Sequence, residues 1–148
     1  MSIFRTVQIN PTTFRIDDWN TDAIAYNPPE QWFGQSNADT AFQKTMTITR
    51  GMNNSATVTF VGSKVSVFGI IGLINPPNAP HISSYSLDKT AAKTVTFPPS
   101  AASFKSIKFY ESEDLPHGQH TLKVTNGHAE SYLMIDYFEV VDGSGSMR

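Results

Sequence analysis

Residues 115–141 carry the strongest fold signal in the sequence: LPHGQHTLKVT, then NGHAES, then YLMIDYFEVV. The first and third segments are rich in β-branched, aromatic and other apolar residues, which is typical of strands. The polar connection between them contains Asn126-Gly127, a strong signal for a tight turn between antiparallel strands. The stretch therefore predicts a hairpin of two long strands near the C-terminus.

Two polar residues fall on the predicted core faces of this hairpin. Side chains of a strand alternate between its faces, so His120 shares a face with Leu122, and Asp136 shares one with Met134, Phe138 and Val140. If the two strands pair across the connection, His120 lies opposite Asp136. A bare buried carboxylate is very costly, so Asp136 requires hydrogen bonds, an ion pair or a metal. We predict a His120–Asp136 contact, either as a structural pair or as part of a site.

Composition places the chain among folded domains of ordinary charge. The chain has 148 residues, of which 39% are hydrophobic and 16% charged, with a net charge of −2 and no cysteine. This size suits one domain with its own core, and the lack of cysteine excludes disulfide and thiol chemistry. The weak negative charge gives no basic footprint for nucleic acid. No apolar run approaches the roughly 20 residues that span a bilayer, so membrane insertion is not expected.

The N-terminal residues MSIFRT lack the basic-then-apolar pattern of a secretory signal. We therefore expect a cytoplasmic protein or one secreted by an unconventional route, and an extracellular one if the chain is a processed fragment. Asn53-Asn54-Ser55 is a glycosylation acceptor motif, which has meaning only in the secreted case.

Short strand-like runs, broken by Gly, Pro, Asn and Ser, recur along the whole chain, and no stretch has sustained helical periodicity. Strands are predicted at residues 6–9, 13–17, 24–26, 45–49, 56–61, 64–70, 83–87, 93–97, 106–112, 118–125 and 132–141. A second hairpin is predicted to turn at Gly62-Ser63. About ten punctuated strands indicate an all-β protein, a β-sandwich or barrel. We expect one domain over residues 1–142 and a flexible tail over 143–148, with at most a turn of helix within 27–44.

A series of short motifs carries a family resemblance across nearly the whole chain. The motifs are Ile16-Asp17-Asp18, Ile24-Ala25-Tyr26, Trp32, Thr45, Phe60-Val61-Gly62, Val67-Phe68-Gly69, Tyr85-Ser86-Leu87-Asp88, Gly118-Gln119-His120-Thr121-Leu122 and Asp136-Tyr137. The series resembles a domain of mushroom-forming fungi (basidiomycetes) that is classed with galactose-binding-like jelly rolls. As a short chain without an evident signal or membrane helix, it is also similar to fruiting-body lectins. The resemblance implies an antiparallel jelly-roll sandwich similar to carbohydrate-binding modules.

The same resemblance implies a possible structural calcium ion, because such jelly rolls often hold one near the chain ends. Asp17 and Asp18 lie near the N-terminus and Asp136 lies in the last strand. The first and last strands of a sandwich commonly lie side by side, so we expect these carboxylates to converge. Calcium takes six to eight oxygen ligands, which carboxylates supply. The alternative is that Asp17 or Asp18 caps a local turn.

Two tryptophans are the candidate platforms for a sugar, since sugar recognition needs a flat aromatic face and a few fixed polar groups. Trp19 lies in the polar turn DWNTD at residues 18–22, where an exposed indole is unusual without a binding role. Trp32 follows Pro28-Pro29 and is either a second platform or a core residue.

Candidate hydrogen-bonding groups come from two polar loops. Asn78 and His81 lie in the proline-rich loop at residues 74–84, whose stiffness lowers the ordering cost of binding. Asn126 and His128 lie on the connection of the predicted C-terminal hairpin. Together with Trp19 and Trp32, these four residues are the predicted ligand-binding set.

Catalytic motifs are absent from the sequence. The acidic residues are scattered, and there is no Gly-x-Ser-x-Gly elbow in a strand–helix context, no phosphate loop and no His-Glu-x-x-His. The leading hypothesis is a small fungal lectin, not an enzyme, that binds galactose-type or other neutral sugars at loop tips. We expect homo-oligomers, because linked weak sites gain effective concentration. The alternative is a structural or protein-interaction domain that uses a sheet face or edge.

Overall fold

The computed structural model describes residues 6–10, 12–36, 41–71, 80–97 and 105–142. The strands are β1 (Thr6–Asn10), β2 (Thr13–Asp17), β3 (Ile24–Asn27), β4 (Trp32–Gln35), β5 (Met46–Thr49), β6 (Ser55–Gly62), β7 (Lys64–Ile71), β8 (His81–Leu87), β9 (Lys93–Phe97), β10 (Lys105–Glu111), β11 (Gly118–Asn126) and β12 (Leu133–Val141). Short 3-10 turns lie at Pro29–Gln31 and Phe42–Lys44. All strand pairs are antiparallel and form two sheets, so the predicted all-β sandwich is confirmed. In the described ranges, no helix is long and apolar enough to cross a membrane.

Strand β12 organises the larger, seven-stranded sheet. One of its edges pairs with β7, which pairs in turn with β10. The other edge is shared: residues 133–135 pair with β5 and residues 137–141 pair with β2. Tyr137 thereby lies opposite Asp17, so the last strand lies beside the second strand, β2, and not beside β1 as predicted. The smaller sheet has the order β3-β6-β11-β8-β9.

The inner faces of the two sheets form the main hydrophobic core. Its fully buried members come from both sheets: Ala56, Val58, Val65, Val67, Tyr85, Leu122, Val124, Ile135 and Phe138. Each buried large apolar side chain contributes roughly 1.5–3 kcal/mol relative to an exposed one. A second cluster on the other face of the larger sheet includes Met46, Ile48, Ile70 and Met134.

The two predicted hairpins are wrong, because both connections cross between sheets. Strand β11 pairs with β6 and β8 in the smaller sheet, whereas β12 belongs to the larger one. Likewise β6 and β7 lie in different sheets. Gly62 lets the chain pass close to β12, because a Cβ at position 62 would lie only 2.5 Å from Val140 Cγ1.

The predicted His120–Asp136 contact is also wrong, since the two residues lie in different sheets. His120 Nδ1 lies 2.6 Å from Asp88 Oδ2, and its Nε2 lies 2.7 Å from the Pro116 carbonyl oxygen. Both partners accept hydrogen bonds, so they favour the doubly protonated ring. The Pro116 carbonyl, followed by Asp88, raises the pKa of His120.

A β-bulge changes the face that each residue of β12 occupies. The register with β7 shifts between Ile135 and Tyr137, so Asp136 is an extra residue in the strand. Met134 consequently packs in the second cluster, whereas Phe138 packs in the main core. The prediction that Met134 and Phe138 share a face of the strand is therefore wrong. The bulge also places Asp136 where β12 changes partner from β5 to β2.

Candidate functional site

A cavity of about 620 Å³ opens at one side of the sandwich, between the edge strand of each sheet. Strand β3 ends the smaller sheet there, and β4 ends one branch of the larger sheet. The walls are largely aromatic and aliphatic: Trp19, Ile24, Tyr26, Pro29, Trp32 and Phe33. Thr21 and Gly34 complete the lining, with Asp18 and Thr47 at the floor. The two tryptophans singled out by the sequence therefore line one cavity.

Trp19 stands on a turn that its neighbours hold firmly. Asn20 is buried, and its side-chain oxygen accepts hydrogen bonds from the backbone N–H groups of Asp22 and Ala23. The Trp19 N–H donates to Asp17 Oδ2 at 3.2 Å. These bonds form an Asx-type turn, which fixes the backbone independently of the tryptophan side chain. Trp19 is left 36% exposed at the cavity rim.

Trp32 forms a wall of the cavity and also belongs to the core. It is only 8% exposed, and its ring centroid lies 4.8 Å from that of Tyr26. Its indole N–H donates to the carbonyl oxygen of Asn27 at 3.1 Å, so its polar group is already used. Trp32 therefore supplies apolar surface rather than hydrogen bonds.

Phe33 is a cavity residue that sequence analysis missed. It is 53% exposed, although a phenylalanine of this size is usually buried. It follows the buried Trp32 on edge strand β4, and alternation along the strand exposes it. The strand itself was not predicted, because two prolines and polar residues surround it. The signal available in the sequence was the pair of adjacent aromatic residues, Trp32 and Phe33, shortly after Pro28-Pro29.

Asp18 lies at the cavity floor, fully buried, and each of its carboxyl oxygens accepts a hydrogen bond. The Thr45 hydroxyl donates to its Oδ1, and the Thr47 hydroxyl donates to its Oδ2, both at 2.7 Å. The Tyr26 hydroxyl donates to its backbone carbonyl oxygen at 2.5 Å. Burial raises the pKa of Asp18 to about 8, against the hydroxyl donors, which lower it.

Two more buried carboxylates lie behind Asp18. Asp136 accepts hydrogen bonds from the Phe42 N–H at 2.9 and 3.1 Å, and burial raises its pKa to about 7. Asp17 lies 3.3–3.4 Å from the Thr45 hydroxyl, which also contacts Asp18. The structure thus brings together the three carboxylates that the sequence proposed for calcium. Their mutual repulsion favours the protonated forms of Asp18 and Asp136.

The donor chemistry of this cluster is that of a calcium site, but its arrangement is not. Carboxylate and hydroxyl oxygens are the ligands that calcium prefers. Within the described part of the chain, however, no three His, Asp or Glu side chains are arranged to hold a metal ion. Hydroxyl and amide donors already bind the carboxylates. The residues as placed form a hydrogen-bonded cluster rather than a metal cage, and calcium remains a prediction.

The described members of the predicted polar set, namely His81, Asn126 and His128, are not among the residues that line the cavity. The buried Asn126 amide nitrogen lies within 3.1–3.2 Å of three backbone carbonyl oxygens, those of Gly51, His128 and Ser131. His81 is buried at the start of β8, and burial lowers its pKa. The Asn126 amide therefore ties the end of β11 to the two neighbouring loops.

His128 is only partly buried, and its Nδ1 accepts a hydrogen bond from the Glu130 N–H. Asn78 lies outside the described residues, as does the predicted tail at 143–148. The described members of the predicted polar set do not line the cavity with Trp19 and Trp32.

A second groove, of about 550 Å³, lies at the opposite side of the sandwich between β9 and β10. It is lined by Lys93, Lys108, Tyr110 and Glu111, among others. The Lys108 ammonium lies 2.6 Å from Glu111 Oε1. The groove has no tryptophan in its lining, so its chemistry differs from that of the aromatic cavity.

Solved structures show what the fold is similar to. A CBM35 from Cellvibrio japonicus Abf62 matches with a TM-score of 0.67 and 14% identity, over 90% of this chain and 95% of that one. A GH26-CBM35 β-(1,4)-mannanase from Podospora anserina matches with a TM-score of 0.61 and 15% identity, over 88% of this chain and 27% of that one. An exo-β-1,3-galactanase from Phanerochaete chrysosporium, solved with galactose, matches with a TM-score of 0.60 and 12% identity, over 86% of this chain and 29% of that one.

These matches establish the fold class: a jelly-roll sandwich of the kind seen in the CBM35 from Cellvibrio japonicus. The chain spans less than a third of the two enzymes, so the likeness covers one part of each. No family model matches the sequence, and no curated protein matches it.

Proposed function

We propose that this protein is a non-catalytic carbohydrate-binding domain, and that its sugar site is the cavity between β3 and β4. The observation that carries the proposal is the pair of exposed aromatic side chains, Trp19 and Phe33, on the rim of one cavity. The apolar C–H face of a sugar ring packs on such surfaces, and Trp32 extends the aromatic wall inward. The similar carbohydrate-binding fold supports the same function.

The placement of the acidic residues supports a non-catalytic role. Glycoside hydrolysis generally uses two carboxyl groups that flank the scissile bond. In the described lining of the cavity the only carboxyl group is that of Asp18, which is fully buried beneath Thr45 and Thr47 hydroxyl contacts. A substrate in the cavity would therefore contact aromatic rings and threonine, not a catalytic acid pair.

We further propose that the protein is a lectin that binds the end of a glycan chain, and that self-association raises its avidity. A side cavity about 620 Å³ in volume accommodates a short terminal segment rather than a long chain. Single shallow sugar sites bind weakly, and linking copies raises avidity without new contacts.

A glycan array with three proteins tests this proposal. Wild type is compared with Trp19→Ala and with Val61→Ala, which removes an exposed apolar side chain (57% exposed) that does not line the cavity. We expect wild type and Val61→Ala to bind the same glycans and Trp19→Ala to lose them. An array without signal for wild type, or equal binding by Trp19→Ala, contradicts the proposal.

A further inference from the structure

The cavity carries no positive charge on the residues that the structure describes around it. Its lining consists of aromatic, aliphatic and threonine side chains, glycine, and the single carboxyl group of Asp18. Asp17 and Asp136 lie close behind Asp18, so the floor concentrates three acidic groups. A ligand in this cavity therefore meets mainly apolar groups and threonine, and no basic side chain of the described lining.

Two exposed acidic residues lie next in sequence to residues that line the cavity. Asp22 follows the lining residue Thr21, and Glu30 follows the lining residue Pro29. Both side chains are exposed. No lysine is part of the described cavity lining, whereas Lys93 and Lys108 line the separate groove between β9 and β10, together with Glu111. The groove thus offers ammonium groups, which the described lining of the aromatic cavity lacks.

We infer that the aromatic cavity selects neutral sugar residues and rejects uronic acids and other anionic sugars; this inference rests on the proposed sugar site. A sugar carboxylate in the cavity would be partly desolvated, and no residue of the described lining would give it a cationic partner, which is costly. A neutral sugar avoids that cost, because its C–H face packs on the rings and its hydroxyls reach Thr21 or solvent. Rejection of the wrong ligand by an unpaired charge is a general route to specificity.

Competition between matched sugars tests the inference on the intact protein, in chelator so that no metal ion supplies a cation. Short oligosaccharides ending in glucose, galactose or mannose are compared with those ending in glucuronic, galacturonic or mannuronic acid. Quenching of Trp19 fluorescence, with Trp19→Ala as the blank, restricts the readout to this cavity. We expect each acid to bind at least about tenfold more weakly than its neutral partner. An acid that binds as tightly as its partner overturns the inference while leaving the sugar site intact.

A gain-of-function variant gives the second readout. Thr21 is exposed at the rim, so Thr21→Lys adds a cation without removing core packing, and Thr21→Gln is the uncharged control of similar length. We expect Thr21→Lys to narrow the gap between acidic and neutral sugars and Thr21→Gln to leave it unchanged. An equal effect of both variants overturns the electrostatic reason. Absence of any Trp19-dependent sugar binding overturns both the inference and the proposed function.

Discussion

Gly34 on β4 lies against the indole of Trp19, so closely that a Cβ built on residue 34 would come within 2.7 Å of Trp19 Nε1 and 3.1 Å of Cε2. The indole ring is rigid, so it would have to tilt or move away to admit a methyl group. The glycine therefore sets the position of the exposed tryptophan at the cavity rim. Because both residues are near the surface, the contact concerns the shape of the cavity more than the stability of the fold.

The first prediction concerns Gly34→Ala, which displaces the indole and changes the cavity rim. We expect glycan affinity to fall several-fold, the Trp19 emission spectrum to shift, and the melting temperature to change little. Calorimetric titration and fluorescence measure these effects. Gly118→Ala is the matched control, because a Cβ there meets nothing within 4 Å. Unchanged affinity in Gly34→Ala would show that the indole position does not matter for binding.

The second prediction concerns pH and the buried carboxyl groups, measured in chelator. Burial raises the folded-state pKa of Asp18 to about 8 and that of Asp136 to about 7, above an unfolded value of about 3.9. The protonated forms thus stabilise the fold fully at low pH, and this contribution is lost as pH rises toward the folded pKa values. We expect stability to fall between about pH 5 and pH 8, by up to about 1.4 kcal/mol per pH unit for one group.

The variant Asp18→Asn tests whether Asp18 causes the decline of folding stability with pH. The amide keeps the size of the side chain and stays neutral at every pH, so the decline of stability with pH should become shallower. Urea unfolding at several pH values measures it. Asp22→Asn, at an exposed position in the same turn, is the control and should keep the wild-type slope. A wild-type stability that rises from pH 5 to pH 8 would contradict the account.

The third prediction concerns the calcium ion that the family resemblance implies, whose binding would require Asp17, Asp18 and Asp136 to rearrange from the hydrogen-bonded cluster of the structure. A bound divalent cation would favour ionised carboxylates, so calcium should raise the melting temperature more at pH 8 than at pH 5. Asp136→Asn should remove this gain, and magnesium, which demands a smaller octahedral site, should not reproduce it. No calcium-dependent shift at either pH would mean that hydroxyl groups, amides and protons alone satisfy Asp17, Asp18 and Asp136.

Most strands were predictable from the sequence, whereas their assignment to sheets was not. Alternating apolar residues predict that β6, β11 and β12 are strands, and the structure confirms them. The glycines at positions 62 and 127 signal a change of direction, but a hairpin and a crossing between sheets give the same local signal. The bulge at Asp136 depends on pairing with β7, which residues far away in sequence supply. That pairing decides which side chains of β12 face the core.

Only part of the site was predictable, because local sequence does not show which strands become neighbours. The exposure of Trp19 followed from its polar turn, and the meeting of Asp17 with the last strand followed from the general topology of sandwiches. The joining of Trp19 to Trp32 and Phe33 depends on how β3 and β4 end the two sheets. Asn126 has a side chain of the type found in binding sites, but its amide nitrogen donates to backbone carbonyl oxygens, which local sequence does not reveal.

The most direct measurement is a calorimetric titration of the glycan that binds best on the array against wild type, Trp19→Ala, Phe33→Ala and Val61→Ala, with each melting temperature recorded. The account predicts that Trp19→Ala abolishes detectable binding and that Phe33→Ala weakens it by about tenfold, roughly the value of one aromatic contact. Val61→Ala should bind like wild type, and all four proteins should melt within a few degrees of one another. Full affinity in Trp19→Ala and Phe33→Ala, with the fold intact, would contradict the claim that this cavity is the sugar site.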